Sequence, residues 1–148
     1  MDIAMESSTY VRKAYGVMKL TYGIVPIVAG LDKFTNILTQ WENYLNPAIA
    51  QMIPFSPHTF MMIVGVVEIV AGIIVFLRPA IGGYIVMAWL ALIALSLLAG
   101  KQYLDVAVRD LVMAIGAYSF VQIAKTVSPG KREQAEDKEL ANSWPQTQ

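Results

Sequence analysis

Four ionisable residues fall in or beside stretches of the chain that are otherwise long and apolar. Glu68 lies near the middle of FMMIVGVVEIVAGIIVFL, residues 60–77, a run long enough to cross a bilayer as a helix. A charge at that depth costs about 2.5 kcal/mol or more, so it seldom faces lipid. Lys33, Arg109 and Asp110 are the candidates on other segments to pair with Glu68 or compete for its partners. The sequence therefore predicts that Glu68 is paired, protonated or hydrated inside a bundle.

Small residues recur at intervals of seven on the same helical faces as these charges. They are Gly16, Gly23 and Gly30, then Gly65 and Gly72, then Ala107 and Ala114, with Ala117 three further on. Seven residues are nearly two helical turns, so each set lines one face, and small residues let membrane helices approach closely. Lys33, Glu68 and Asp110 each lie three residues after a member of these sets. The charged cluster is therefore predicted to lie on the packed face of three helices.

The predicted cluster of Lys33, Glu68, Arg109 and Asp110 has two interpretations. It is either a buried ion-pair network that fixes helix register, or a polar pocket in an apolar bundle. Two bases and two acids in such a pocket would orient a quinone, a lipid head group or a small anion. Glu68 would alternatively be protonated and transfer protons.

Composition excludes several classes of function. The 148 residues are 56% hydrophobic, carry no net charge and include no cysteine. A basic nucleic-acid surface, disulfides, thiol catalysis and cysteine metal sites are therefore excluded for this chain. His58 is the only histidine, and no phosphate loop, catalytic triad or metal-binding helix motif occurs. We expect no metal site, no intrinsic cofactor and no catalysis by this chain alone.

The apolar segments predict an all-α fold, an integral membrane four-helix bundle. The spans are predicted at residues 14–33, 58–77, 80–99 and 105–127, between an N-terminal segment (residues 1–13) and a polar tail (residues 128–148). Ser56 is a candidate N-cap, and Pro57 suits the first helical position. Arg78 and Pro79 predict a tight hairpin, and Gly100 is placed to close the third span.

The connection between the first two spans has an amphipathic pattern. Its apolar residues at helical spacing are Phe34, Ile37, Leu38, Trp41, Tyr44 and Leu45. This pattern predicts an interfacial amphipathic helix that ends at Pro47, and that either covers the mouth of the bundle or forms a lid over a ligand entrance. Trp41 and Tyr44 suit an aromatic belt, whereas Trp89 is too deep and is predicted to pack in the bundle or meet another subunit.

Basic residues predict the orientation of the spans. One side would hold both termini and most of the positive charge: Arg12, Lys13, Arg78, Lys125, Lys131, Arg132 and Lys138, with Lys19 just inside. The other side would hold Lys33, Lys101 and Arg109. The distribution predicts that both termini lie in the cytoplasm. We interpret the chain as a protein of a bacterial-type inner membrane.

Three short segments carry a resemblance to a known family. AGLDKF (residues 29–34), VGVVEIVAGIIV (64–75) and VRDLVMAIGA (108–117) resemble the DoxX-like family of small four-helix membrane proteins, over roughly residues 15–123. That family includes the small subunit of a thiosulfate:quinone oxidoreductase and partners of other redox proteins. The resemblance implies a helical membrane subunit associated with quinone-linked redox chemistry.

These observations lead to three hypotheses about function. The first is an accessory or ligand-binding subunit of a membrane redox or respiratory assembly, with a bound quinone or lipid. The second is a small proton-coupled transporter, and the third is a structural scaffold whose ion pairs only hold the bundle. The expected partners are membrane lipids and other membrane subunits or further copies of the chain, and no nucleic acid.

Overall fold

The computed structural model describes residues 2–101 and 103–127, with side chains from residue 7 onward. The elements are α1 (Asp2–Asp32), a 3-10 turn (Trp41–Tyr44), α2 (Pro47–Met52), α3 (Pro57–Leu77), α4 (Pro79–Gly100) and α5 (Leu104–Val127). No strand occurs in the described ranges, which confirms the all-α prediction. The predicted polar tail lies outside the described residues. α1 already begins at Asp2, so the described part of the predicted N-terminal segment is helical.

Four of these helices are long and apolar enough to cross a membrane: residues Ser7–Asp32 of α1, and all of α3, α4 and α5. Large apolar side chains are exposed on their outer surfaces: Ile63, Val66 and Val70 on α3, Leu92 and Leu95 on α4, and Val108, Val112 and Ile115 on α5. An apolar exterior of this extent is costly in water and is typical of helices in lipid. The chain thus has the features of a membrane protein, as the sequence predicts.

Local sequence signals set several of the helix ends. The Ser56 hydroxyl accepts a hydrogen bond from the Thr59 backbone N–H at 3.2 Å, and Pro57 is the first helical residue, as predicted. Only Arg78 separates α3 from α4, which confirms the tight hairpin. The far end of α4 differs from the prediction.

Lys101, with φ of 52°, supplies the left-handed residue that ends α4, and Gly100 is the last helical residue. The side chain of Asn46 explains the glycine. A Cβ on Gly100 would lie 3.2 Å from the Asn46 amide nitrogen, so the glycine leaves room for a neighbouring segment.

The helices pack in sequence order around a ring. α1 packs against α3 and α4 against α5, and the two pairs meet where α3 contacts α4 and α1 contacts α5. Glycines bring α1 and α3 close together, since a Cβ on Gly30 would lie 2.5 Å from the Gly65 carbonyl oxygen and one on Gly72 would lie 2.5 Å from that of Gly23. The predicted small-residue contact therefore holds at these two pairs. Gly16 has nothing within 4 Å of such a Cβ and lies outside the contact.

The apolar core fills the half of the bundle near the α3–α4 hairpin, which we call the hairpin end. Phe120, Val75 and Val121 are fully buried there. The Tyr22 ring stacks on Phe120 with centroids 5.8 Å apart, and its hydroxyl donates to the Met113 carbonyl oxygen at 2.9 Å. These contacts join α1 to α5. Lys33, Glu68 and Asp110 lie closer to the opposite end, which we call the cap end.

The predicted interfacial amphipathic helix is not present. Residues 35–46, which we call the cap, are irregular apart from the 3-10 turn, and Pro47 begins a helix instead of ending one. Asn36 adopts φ of 51°, which a helix does not allow. The Asp32 carboxylate accepts the backbone N–H groups of Ile37 and Leu38. An aspartate side chain that bonds nearby N–H groups competes with helix formation, and here it prevails over the apolar periodicity.

Candidate functional site

A buried ion pair joins the end of α1 to the middle of α3. Lys33 Nζ lies 2.6 Å from Glu68 Oε2, and the two side chains are 5% and 9% exposed. The close approach of α1 and α3 makes the pair possible, because the Lys33 Cβ lies 3.1 Å from where a Gly65 side chain would begin. A larger residue at 65 would therefore push Lys33 away from Glu68.

The register of α1 against α3 places this pair deep in the bundle, well along α3 from its first residue. The Gly30–Gly65 and Gly23–Gly72 contacts set Asp32 level with Ile63. α1 therefore ends about 9 Å short of the start of α3, at 1.5 Å per residue. Glu68 lies about 16 Å along α3 from Pro57 by the same measure. Lys33 reaches it because helical side chains lean toward the N-terminus, which for α1 is toward the bundle interior.

Two indole rings flank the ion pair. Lys33 Nζ lies 3.7 Å from the centroid of the Trp41 ring, a cation–π contact supplied by the cap. The Trp89 Nε1–H, from α4, donates to Glu68 Oε1 at 3.4 Å, which is long for a hydrogen bond. Trp89 therefore packs in the bundle, one of its two predicted roles. Trp41, predicted for an aromatic belt, instead covers the Lys33 ammonium.

Asp32 is the carboxylate that sequence reasoning missed. It is 7% exposed and has no cationic partner within the described residues. Its donors are Trp41 Nε1 at 2.7 Å, Ile37 N at 3.0 Å, Leu38 N at 3.1 Å and Thr35 Oγ1 at 3.2 Å. These bonds satisfy the charge, and they fix the cap to α1 with the Trp41 indole above Lys33. Asp32 and Thr35 three residues later, at a helix end, are the sequence signal that could have indicated this role.

The cap is also fixed to the start of α3. His58 Nδ1 lies 2.6 Å from Glu42 Oε1, and the Asn36 amide donates to both Glu42 oxygens at 3.1 and 3.2 Å. The hydrogen bond with His58, followed by the bonds from the Glu42 backbone N–H and from Asn36, holds the pKa of the Glu42 carboxyl below its ordinary value. Glu42 and His58 thus form the link between the cap and α3.

Two further contacts fix the cap to α4 and to the start of α5. The Asn46 side-chain amide donates to the Ser96 carbonyl oxygen in α4 at 3.0 Å, and its oxygen caps α2 at Ala48 N. The Tyr44 ring packs on Tyr103, with centroids 4.4 Å apart. The cap therefore contacts α1, α3 and α4 at their cap ends, and it contacts Tyr103 just before α5.

Asp110 lies near the ion pair, and Arg109 does not. Asp110 is half-buried on α5, and its carboxylate interacts electrostatically with its neighbour Arg109 and also with Glu68 and Lys33. It makes no hydrogen bond to another side chain or backbone group in the described ranges. Arg109, predicted as the fourth member of the cluster, is exposed and forms no ion pair with a described residue. Adjacent helical residues point about 100° apart, so the turn that directs Asp110 inward directs Arg109 away.

The site therefore consists of Lys33, Glu68, Asp110 and the two indoles. Lys33 and Trp89 can donate hydrogen bonds, and the two carboxylates can accept them. No group of three or more histidine, cysteine, aspartate or glutamate side chains in residues 2–101 and 103–127 is arranged to hold a metal ion. The arrangement is compatible with both interpretations predicted from the sequence, a buried ion pair that fixes helix register and a polar site for a ligand head group.

Comparison with protein-family models, with curated proteins and with solved structures found no match to the chain. The resemblance to the DoxX-like family stays a prediction from the three sequence segments. The function below is therefore argued from the geometry of the site.

Proposed function

We propose that the chain is an integral membrane protein that binds the head group of a quinone at Lys33, as an accessory subunit of a membrane redox assembly. The observation that carries the proposal is the Lys33–Glu68 pair, buried inside a bundle with an apolar exterior and flanked by two indole rings. Quinone tails partition into lipid, so a quinone reaches such a site from the membrane. The ammonium then supplies a hydrogen bond to a ring carbonyl.

The charge of the site favours a neutral head group over an anionic one. The Lys33 ammonium is already paired with the Glu68 carboxylate at 2.6 Å, so its charge is compensated within the pair. A lipid phosphate or a small anion would have to compete with that carboxylate for Lys33 at low dielectric. A quinone carbonyl is neutral and accepts a hydrogen bond from an ammonium that has three donors. Of the three ligand types considered from the sequence, the quinone fits this charge best.

The role of accessory subunit follows from what the chain itself supplies. The described residues provide hydrogen-bonding groups and aromatic faces, and the sequence has no cysteine for a redox centre. Electrons for the quinone would therefore come from a partner protein, as the DoxX-like resemblance implies. The proposed location is a bacterial-type inner membrane, with the cap on the outer side and both termini in the cytoplasm.

Native purification tests this proposal. The protein would be isolated in a mild detergent, and quinone would be quantified in an organic extract alongside the proteins that copurify. We expect close to one quinone per chain together with a redox partner. Lys33→Met/Glu68→Leu, which removes both buried charges together, should lose the quinone, whereas Lys101→Met, at an exposed lysine of the same end, should keep it. A chain that purifies alone, without quinone, contradicts the proposal.

Asp110 favours one second candidate, a small proton-coupled transporter. A half-buried carboxylate on a helix of spanning length, beside an ion pair, is a typical proton-carrying group. The candidate predicts proton movement across liposomes that contain the protein, followed with an enclosed pH-sensitive dye. Asp110→Asn should abolish this movement while Asp105→Asn, exposed on the same helix, preserves it. Equal rates in protein-free liposomes would exclude this candidate.

A further inference from the structure

We propose that Trp41 gates the quinone site, so that the ring of an incoming quinone displaces the Trp41 indole from the Lys33 ammonium. This inference rests on the proposed function, and it identifies the residue that controls access. A planar ring already lies 3.7 Å from the ammonium that a quinone ring would have to approach. The indole and the quinone therefore compete for one face of Lys33.

The exposure of Lys33 shows why something must move. Its side chain is 5% exposed, with Glu68 on one side of the ammonium and Trp41 on another. The α1–α3 interface cannot widen easily, because Gly30 and Gly65 bring the two backbones into direct contact. Access to Lys33 is therefore expected from the cap end.

The cap is built in a way that allows this movement. Trp41 belongs to a short 3-10 turn and is only half-buried, so it can leave without unwinding a long helix. Three specific interactions hold its ring: the bond to Asp32, the ammonium of Lys33 and the ring of Tyr44 at 6.0 Å. Each of them joins Trp41 to a single neighbouring side chain.

Asp32 holds the gate closed. Its Oδ2 accepts the Trp41 Nε1–H at 2.7 Å. Its bonds to the Ile37 and Leu38 N–H groups fix the segment of the cap that precedes Trp41. Loss of the indole N–H removes one of these restraints and leaves the backbone bonds in place. Trp41→Phe is therefore a milder variant than Trp41→Ala, and it tests the same gate with less risk to the fold.

Titration with decylubiquinone in detergent tests the gate. The reporter is Trp89, which contacts Glu68, and Trp144→Phe in every variant removes the third tryptophan of the chain. We expect Trp41→Ala to bind decylubiquinone at least about tenfold more tightly than the Trp144→Phe parent. In the parent, the closed position of Trp41 reduces the fraction of protein molecules that can bind, and the variant removes this reduction. Trp41→Phe should lie between them. Because the parent retains Trp41 fluorescence, the affinities would also be measured by isothermal titration calorimetry.

Tyr44→Ala is the comparison variant, since Tyr44 belongs to the same turn but packs more closely on Tyr103, at 4.4 Å, than on Trp41, at 6.0 Å. Its affinity should stay closer to that of the parent than the affinity of Trp41→Ala does. If the parent binds and both Trp41 variants bind equally or more weakly, the gate is wrong while the quinone site stands. If neither the parent nor any Trp41 variant binds, the proposed function itself fails.

Discussion

Lys33 and Glu68 form an ion pair in a place that is nearly closed to solvent. Each is over 90% buried as a side chain, and the pair is 2.6 Å apart. Removing one partner of such a pair leaves an uncompensated charge, whereas replacing both with apolar residues of similar size is often neutral or stabilising. The stability of this pair and its role in binding can therefore be separated by mutation.

Single and double substitutions should differ sharply in stability. We expect Lys33→Met to lower the free energy of unfolding by about 3–5 kcal/mol, and Lys33→Met/Glu68→Leu to recover most of that loss. Reversible unfolding in mixed micelles of detergent and dodecyl sulfate, followed by circular dichroism, measures both. If the double variant has as low a free energy of unfolding as the single variant, the two side chains must stabilise the fold by more than mutual compensation of their charges.

The link between Glu42 and His58, which attaches the cap to α3, should depend on pH. Its pKa is lowered by the hydrogen bond with His58, so its stabilising contribution is present above the ordinary value of 4.5 and is lost as pH falls through the lower folded value. The difference in thermal stability between the wild type and Glu42→Gln should therefore be largest near neutral pH and shrink below about pH 4.5. The same difference at every pH would mean that the ionised carboxylate is not what holds the cap to His58.

The sequence predicted part of the site, residue by residue, for physical reasons. Glu68 and Lys33 were identified because they share faces with small residues, and the structure pairs them. Arg109 was included because it is a charged residue near the start of the fourth span, yet it lies one residue from Asp110, and one residue on a helix turns a side chain by about 100°. Asp32 was missed because its partners are backbone N–H groups, and these leave no pattern of side-chain types in a sequence.

At the scale of elements, the glycine contacts between α1 and α3 determine where Lys33 meets Glu68. Gly30→Ala should destabilise the protein by about 1–3 kcal/mol, because the new Cβ would lie 2.5 Å from the Gly65 carbonyl oxygen. Gly16→Ala is the matched control in the same helix, with open space around its Cβ, and should be neutral or slightly stabilising. Unfolding in mixed micelles compares them. Equal effects would contradict the close contact at Gly30.

The helices of the fold were easier to predict from the sequence than the cap. Apolar length, the Ser56 cap and Pro57 all act locally, and the predicted spans agree closely with α3, α4 and α5. The apolar spacing in residues 34–45 suggested a helix, but side-chain bonds from Asp32, Glu42 and Asn46 give the backbone another conformation. Periodicity carries no information on such bonds, so this segment was predicted wrongly.

At the scale of the whole molecule, the distribution of basic residues predicts the orientation, and the absence of cysteine makes it measurable. Single cysteines at Asn43, exposed in the cap, and at Arg78, exposed in the hairpin, would be treated with a membrane-impermeant maleimide in intact cells. We expect Asn43→Cys to react directly and Arg78→Cys only after permeabilisation. The reverse pattern would place the cap in the cytoplasm and overturn the proposed orientation.

The central claim is that the buried pair at Lys33 belongs to a quinone site, and the charge-free double variant tests it most directly. Decylubiquinone would be titrated into Trp144→Phe protein, and into the same protein with Lys33→Met/Glu68→Leu, with Trp89 fluorescence as the signal. The account predicts saturable quenching in the first, and at least about tenfold weaker binding in the folded double variant, which lacks both polar groups. Equal saturable binding by the two proteins would contradict it.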